Sequence, residues 1–175
     1  MAVEVSYLRD APLRESYGGR TLEEAIAGRQ PTAFLCHSHL DKNLALGLQA
    51  RLTQQGWNVF IDWQHTPLSG RPTSATVDTI QKAIQRCDWL IYLATKNSEQ
   101  SRWCPWEIGY ADGKKGRDTV VIVATTEANV IYGSEYLSIY RQIDQTSANL
   151  FIVDPRSPGS AKYMAQAFTR PSPTL

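Results

Sequence analysis

Nowhere in the 175 residues does an apolar run approach the ~18–20 residues needed to cross a bilayer. The opening MAVEVSYLRDAPLRE also lacks the apolar centre of a secretion signal. A soluble, cytoplasmic protein without a membrane partner is the expectation. Charge of one sign is not in excess either: the formal net charge is +1, which provides no broad positive field for a phosphate backbone and argues against a nucleic-acid partner. Cysteine is scarce. The three thiols, Cys36, Cys87 and Cys104, are odd in number and each sits in an apolar stretch, so buried reduced thiols are expected instead of a disulfide framework. C-x-x-C and H-x-x-x-H spacings are absent, and His37 and His39, two apart, lack the further ligands that a metal centre needs. Internal repeats and low-complexity tracts are missing as well. What is present is 42% hydrophobic residues in a chain of this length, enough for one sizeable core and one domain.

Along the chain, residues 1–31 read as a leader, in which Thr21 and Glu24 have capping-box spacing and predict a short helix over about 21–28. Residues 32–168 alternate apolar β-type runs with amphipathic helical stretches, the pattern of an α/β fold with a parallel sheet, and 169–175 read as a frayed tail. Five strands are placed at 32–37 (TAFLCH), 57–61 (WNVFI), 89–94 (WLIYLA), 119–124 (TVVIVA) and 150–153. Asp41 is placed to cap a helix carrying Leu44, Leu48 and Leu52, with Gly56 as its stop. Residues 62–72 (DWQHTPLSGRP), with two prolines and a glycine, read as a long exposed loop. Helices are expected over about 73–86, with Val77, Ile80 and Ile84 on one face, and after Ser101, with Cys104, Ile108 and Ala111 inward. Pro105 then falls near the first turn, and Gly113 or Gly116 closes the helix. A short helix around 134–140 and another over about 161–168, burying Met164 or Phe168, complete the reading.

Ligands of an open parallel sheet bind beyond the carboxyl ends of its strands, where strand order reverses. In a flavodoxin-like three-layer sandwich with a five-stranded parallel sheet of order 2-1-3-4-5, the first and third strands flank that point. Their exits carry Cys36, His37, Ser38 and His39 on one side and Thr95, Lys96 and Asn97 on the other. The second strand runs into Asp62 and Trp63.

These pieces, FLCHSHLDK, VFIDWQHTPLSG, IYLATKNS, SRWCPWEIGYA and VVIVA, together resemble the Toll/interleukin-1 receptor (TIR) domain family, of the bacterial NAD-cleaving type. The likeness covers about 32–124, with weaker likeness to near residue 155, and S-x-W-C-x-x-E is its most specific element. The sequence departs from the family pattern at His37, where many members carry tyrosine, and at His39. The resemblance implies that Glu107 is the catalytic glutamate of an NAD glycohydrolase or cyclase. Its products would be nicotinamide and ADP-ribose or a cyclic ADP-ribose isomer, a signal in antiphage defence read by a downstream receptor. It also implies self-association through TIR–TIR contacts, and for the loop with Asp62 and Trp63 a role in substrate binding, gating or assembly, in which Trp63 stacks on a base or docks on a neighbouring subunit, against the plain reading of an exposed loop.

The chemistry is compatible. Cleaving an N-glycosidic bond builds oxocarbenium-like charge on the ribose, which one nearby carboxylate stabilises. A second carboxylic acid is not required, because the nicotinamide of NAD is already cationic and departs neutral. NAD would be the substrate, with no cofactor and no metal. The absence of G-x-G-x-x-G means that NAD is not held as in a dinucleotide fold.

Helical spacing sets Trp103 and Glu107 on one face, beside the core stripe of Cys104 and Ile108. Trp103 reads equally as a wall for the ribose or nicotinamide and as a packing aromatic, while Trp106 and Tyr110 read as structural or as an assembly surface. His37, Ser38 and His39 read either as substrate contacts or as strand-end groups, and Lys42 as a pyrophosphate partner or a solvated lysine. Glu107 itself is, on composition alone, an ordinary helix glutamate. Two rivals stand beside the enzyme. One is a non-enzymatic TIR adaptor acting by homotypic assembly, against which the presence of Glu107 argues. The other is a nucleoside deoxyribosyltransferase, which needs a second acidic nucleophile.

Overall fold

A strand that is apolar on both faces has to be covered by helices on both sides. The computed structural model, which describes residues 2–12, 21–28, 30–61, 73–133, 135–147, 149–156 and 162–163, meets that demand. Strands β3 (Asn58–Phe60), β2 (Thr32–Cys36), β4 (Trp89–Ala94) and β5 (Val120–Glu127) lie side by side and parallel in that order. Alternation along each strand sorts the core into two halves. Ala33, Leu35, Ile91, Leu93, Val121 and Val123 face one layer, which holds α1 (Val5–Arg9) and α3 (Lys42–Gln54). Phe34, Cys36, Leu90, Tyr92, Val120 and Ile122 face the other, with α2 (Leu22–Ala27), α4 (Ser74–Arg86) and α6 (Trp103–Lys115). Each fully buried Leu or Ile in these layers contributes about 1.5–3 kcal/mol relative to exposure.

Local signals set most element ends. Thr21 and Glu24 form the reciprocal capping box of α2. Thr73 and Thr76 do the same for α4. Gly56 (φ 87°) and Gly116 (φ 86°) provide the left-handed residues that follow α3 and α6. Asp41 departs from expectation: it stands at the N-cap position of α3, but its side chain makes no capping bond there.

The N-terminal segment contributes Val3, Val5 and Leu8 to the core shared with α3. Strand β1 (Val3–Glu4) pairs in parallel with Thr125 and Thr126 at the end of β5. Helix α1 crosses α3 so closely that a Cβ on Gly47 would lie 2.0 Å from the Leu8 carbonyl oxygen. Arg51 fastens the pair, its guanidinium 4.1 Å from the Tyr7 ring centroid and donating to the Tyr7 carbonyl at 3.2 Å.

The far half of the sheet corrects the expected strand set. The fifth parallel place belongs to β7 (Arg141–Gln145), which the polar sequence RQIDQ concealed, and not to Leu150–Val153. Leu150–Val153 is β8, antiparallel to β7, because the connection at 146–149 is far too short for a parallel crossover. Beyond it β9 (Lys162–Tyr163) pairs antiparallel with β8, so the helix expected over 161–168 gives way to a strand at its start. Met164 and Phe168 lie outside the described residues, as does the tail at 169–175. The fourth strand also runs past Ala124 to Glu127 and turns through Ala128 (φ 49°) and Asn129 (φ 64°) into β6 (Val130–Tyr132), antiparallel to β5. The expected short helix near 134–140 is a 3-10 turn at Glu135–Ile139. Nine strands thus form the sheet among the described residues, mostly parallel at its centre.

Candidate active site

Strand order reverses between β2 and β4, since the chain leaves β2 for β3 on one side and returns to β4 on the other. The strand-end rule therefore places the site at these two exits. At the β2 exit, Cys36 is wholly buried, His37 is half-buried with Nδ1 3.2 Å from the Leu35 carbonyl oxygen, and Ser38 is buried. The Ser38 hydroxyl accepts from the Leu40 amide at 3.4 Å, opening a 3-10 turn at His39–Asp41. His39 and Lys42 are exposed.

At the β4 exit, Thr95 starts the short helix α5 (Lys96–Glu99) with a capping box, its hydroxyl accepting from the Ser98 amide at 3.0 Å. The buried Ser98 hydroxyl accepts in turn from the Tyr92 phenol at 2.9 Å. Burial, partly opposed by that bond, lifts the Tyr92 phenol well above its ordinary 10.0. Between the exits lies Asp41, 5% exposed, which accepts from the Thr95 hydroxyl at 2.5 Å and from the Asn97 amide at 2.6 Å. One carboxylate thus clamps the two strand ends that flank the switch point.

Helix α6 supplies the second buried carboxylate. Ser101 caps its start, accepting from the amides of Trp103 at 3.2 Å and Cys104 at 3.3 Å. Cys104, Glu107, Ile108 and Ala111 then face inward, with Glu107 only 5% exposed. Glu107 is therefore within the packed face and not merely beside it. It reaches the Cys36 thiol at the end of β2, whose Sγ also lies 3.9 Å from the Cys104 carbonyl oxygen. Burial above all, then the bond to Cys104 and the charge of Glu107, raises the Cys36 thiol well above its ordinary 9.0. Cys104 moves the other way, chiefly through its contact with the Cys36 thiol, with burial opposing.

The residues singled out from the sequence fare unequally. Glu107 and the β2 exit are brought together, with Ser38 buried there and His37 half-buried. His39 points to solvent. Trp103 is half-buried, its ring edge-on to Trp106 at 5.5 Å, and Trp106 stacks on Tyr110 at 5.8 Å, so the three aromatics form a ladder packed against the core. Asp62 and Trp63 lie outside the described residues. Sequence reasoning set Cys36, Thr95 and Asn97 at the strand exits without a role and read Asp41 as a helix cap, so it missed the contacts that join them, although all four fall within the strand-exit pieces FLCHSHLDK and IYLATKNS. Among the described residues no three His, Cys, Asp or Glu side chains group to hold a metal ion, and no helix is long and apolar enough to cross a membrane.

The family model for the TIR domain matches residues 33–150, which takes in both strand exits, Glu107 and the sheet through Leu150. The chain belongs to the TIR-domain family. This TIR domain is also 34% identical over 110 residues to a Bacillus cereus protein named "Probable 3′ cyclic ADP-D-ribose synthase ThsB′". The match covers 61% of this chain and spans 57% of that relative's length. The matched TIR segment contains the β2–β4 switch point on which the two buried carboxylates converge.

Proposed function

We propose that this TIR domain is an NAD+ nucleosidase of the cyclase type, cleaving the nicotinamide–ribose bond of NAD with Glu107 as the catalytic carboxylate. The observation that carries the reading is a glutamate 5% exposed on α6, held against the end of β2 at the switch point of a TIR sheet. In so dry a setting an ionised carboxylate acts on a developing oxocarbenium ion far more strongly than it would in water. Nicotinamide leaves with the bonding electron pair and becomes neutral. A nucleophile from the same ADP-ribosyl group then captures the ribose C1 and releases a proton, giving a cyclic ADP-ribose isomer. Where water captures C1 instead, the product is ADP-ribose. The likeness to a cyclic ADP-ribose synthase favours cyclisation and a role for the product as a signal in antiphage defence. Self-association accompanies activity in this reading, and Val130 and Ile131 of β6, 50% and 59% exposed, are apolar side chains that such a contact would cover.

The test is incubation of concentrated protein with NAD, with products resolved by chromatography and mass spectrometry. Nicotinamide is expected in equal amount with ADP-ribose or with a cyclic product eighteen mass units lighter. Glu107→Gln should lower turnover by at least about 100-fold while leaving the circular dichroism unchanged. Intact NAD at every protein concentration would overturn the enzyme reading and leave the adaptor.

A further inference from the structure

The side chain facing Glu107 from the sheet is a thiol. Cys36 is the last residue of β2, and alternation along that strand turns it toward α6. Cys104 and Glu107 are three apart on α6 and so share the face that meets it. Both thiols are 0% exposed and Glu107 is 5% exposed, which leaves little water to solvate the carboxylate from this side.

A thiol has one proton to give, and three acceptors surround it: the Cys104 carbonyl, the Cys104 sulfur and the Glu107 carboxylate. The carbonyl lies inside α6, where the helical ladder already directs an amide to it. A sulfur is a weak acceptor, whereas an ionised carboxylate is a strong one.

We propose that Cys36 is a positioning residue for catalysis, its thiol donating to Glu107 and fixing the ionised carboxylate toward the switch point between β2 and β4. The inference rests on Glu107 being the catalytic carboxylate. Burial keeps the thiol protonated throughout the working range, so the donor is always present. A thiol is also a weak donor. It orients the carboxylate without withdrawing much of the negative charge that the oxocarbenium ion needs.

The sign of the pH effect follows. A hydrogen bond to the charged form lowers a carboxyl pKa, so loss of the donor raises it. The other titratable groups around the cluster are Cys104 on α6, Tyr92 on β4, Asp41 in the turn after β2, and Tyr136 near Tyr92, and the variants below leave all four in place.

Two substitutions separate the donor from the packing. Cys36→Val keeps an apolar side chain and the strand preference, at a slightly larger volume, but removes the donor; Cys36→Ser keeps a donor. In NAD turnover Cys36→Val should lose about tenfold in kcat with little change in KM, and the acidic limb of kcat/KM should move up by about one pH unit. Cys36→Ser should retain most of the turnover and shift the limb the other way. Thermal melting checks that each variant is folded. Wild-type kcat and pH profile in Cys36→Val, with Glu107→Gln inactive, would overturn the positioning role alone. Equal loss in folded Cys36→Val and Cys36→Ser would also overturn it, since packing and not the donor would then matter. Activity in Glu107→Gln would instead overturn the reading of the site on which the inference rests.

Discussion

Removing the Asp41 carboxylate should loosen the site and cost more stability than its position in a surface turn suggests. At 5% exposure it accepts from Thr95 at 2.5 Å and Asn97 at 2.6 Å, joining the exit of β2 to the exit of β4. Hydrogen bonds to a charged group are worth about 1.5–3 kcal/mol each, so two set an upper bound of about 6 kcal/mol. Two terms reduce it. Asp41→Ala recovers the cost of desolvating a carboxylate, and the half-buried Asn97 amide can turn to water. The Thr95 hydroxyl cannot, because it is 4% exposed and already accepts from the Ser98 amide. The net expected loss is about 3 kcal/mol. Asp41→Asn keeps one acceptor for Asn97 and should lose only about 1 kcal/mol. Urea denaturation followed by the fluorescence of the five tryptophans measures both. A cycle with Asn97→Ala should return a coupling of about 1.5 kcal/mol. Since the clamp aligns the two exits, NAD turnover of folded Asp41→Ala should also fall. An Asp41→Ala protein within about 0.5 kcal/mol of wild type would refute the reasoning, because a buried double acceptor cannot be removed so cheaply.

What the sequence discloses depends on how local the cause is. Strands β2, β4 and β5 are legible because burial on both faces demands an unbroken apolar run, and α2 and α6 because Thr21, Glu24 and Ser101 act within three residues. Strand β7 is not legible, since only Ile143 of RQIDQ is buried and its other four residues are half-buried. Asp41 shows the same limit in a side chain. Its sequence context fits a helix cap, but Thr95 is 54 residues away and offers a charge-assisted bond in a dry place, which outcompetes an exposed amide. Cys36 meets Cys104 across 68 residues, so no spacing rule could pair them. The family resemblance singled out Glu107, and helical spacing set it at the edge of the core. Only the packing of α6 on β2 shows that it is buried, and that its neighbour on the sheet is a thiol, while Trp103 turns to Trp106.

Two glycines should respond to alanine with opposite signs. At Gly47 the new Cβ meets the Leu8 backbone at 2.0 Å and 2.8 Å, so α1 must move, and the loss should be about 2–3 kcal/mol despite better helix propensity. At Gly113, inside α6, a Cβ meets nothing within 4 Å, and Gly113→Ala should gain about 0.5–1 kcal/mol. Melting temperatures that move in the same direction would contradict the close crossing of α1 on α3. Cys87 makes a third case, on the alkaline side. Burial drives its thiol from 9.0 up to about 12, against the opposing charge of Lys115, whose ammonium donates to the Cys87 carbonyl. Through that window the native state keeps a proton that the unfolded chain releases, so stability falls as pH rises. Lys115, lowered by burial and held up in part by the Cys87 charge, titrates in the opposite sense, and loss of that charge in the variant lowers it further, which adds to the narrowing. Cys87→Ala should therefore be less stable than wild type near pH 7, where it leaves a small void, and the gap should narrow steadily toward about pH 11. A gap that stays constant across that range would show that Cys87 titrates as an exposed thiol does, and would contradict its 2% exposure.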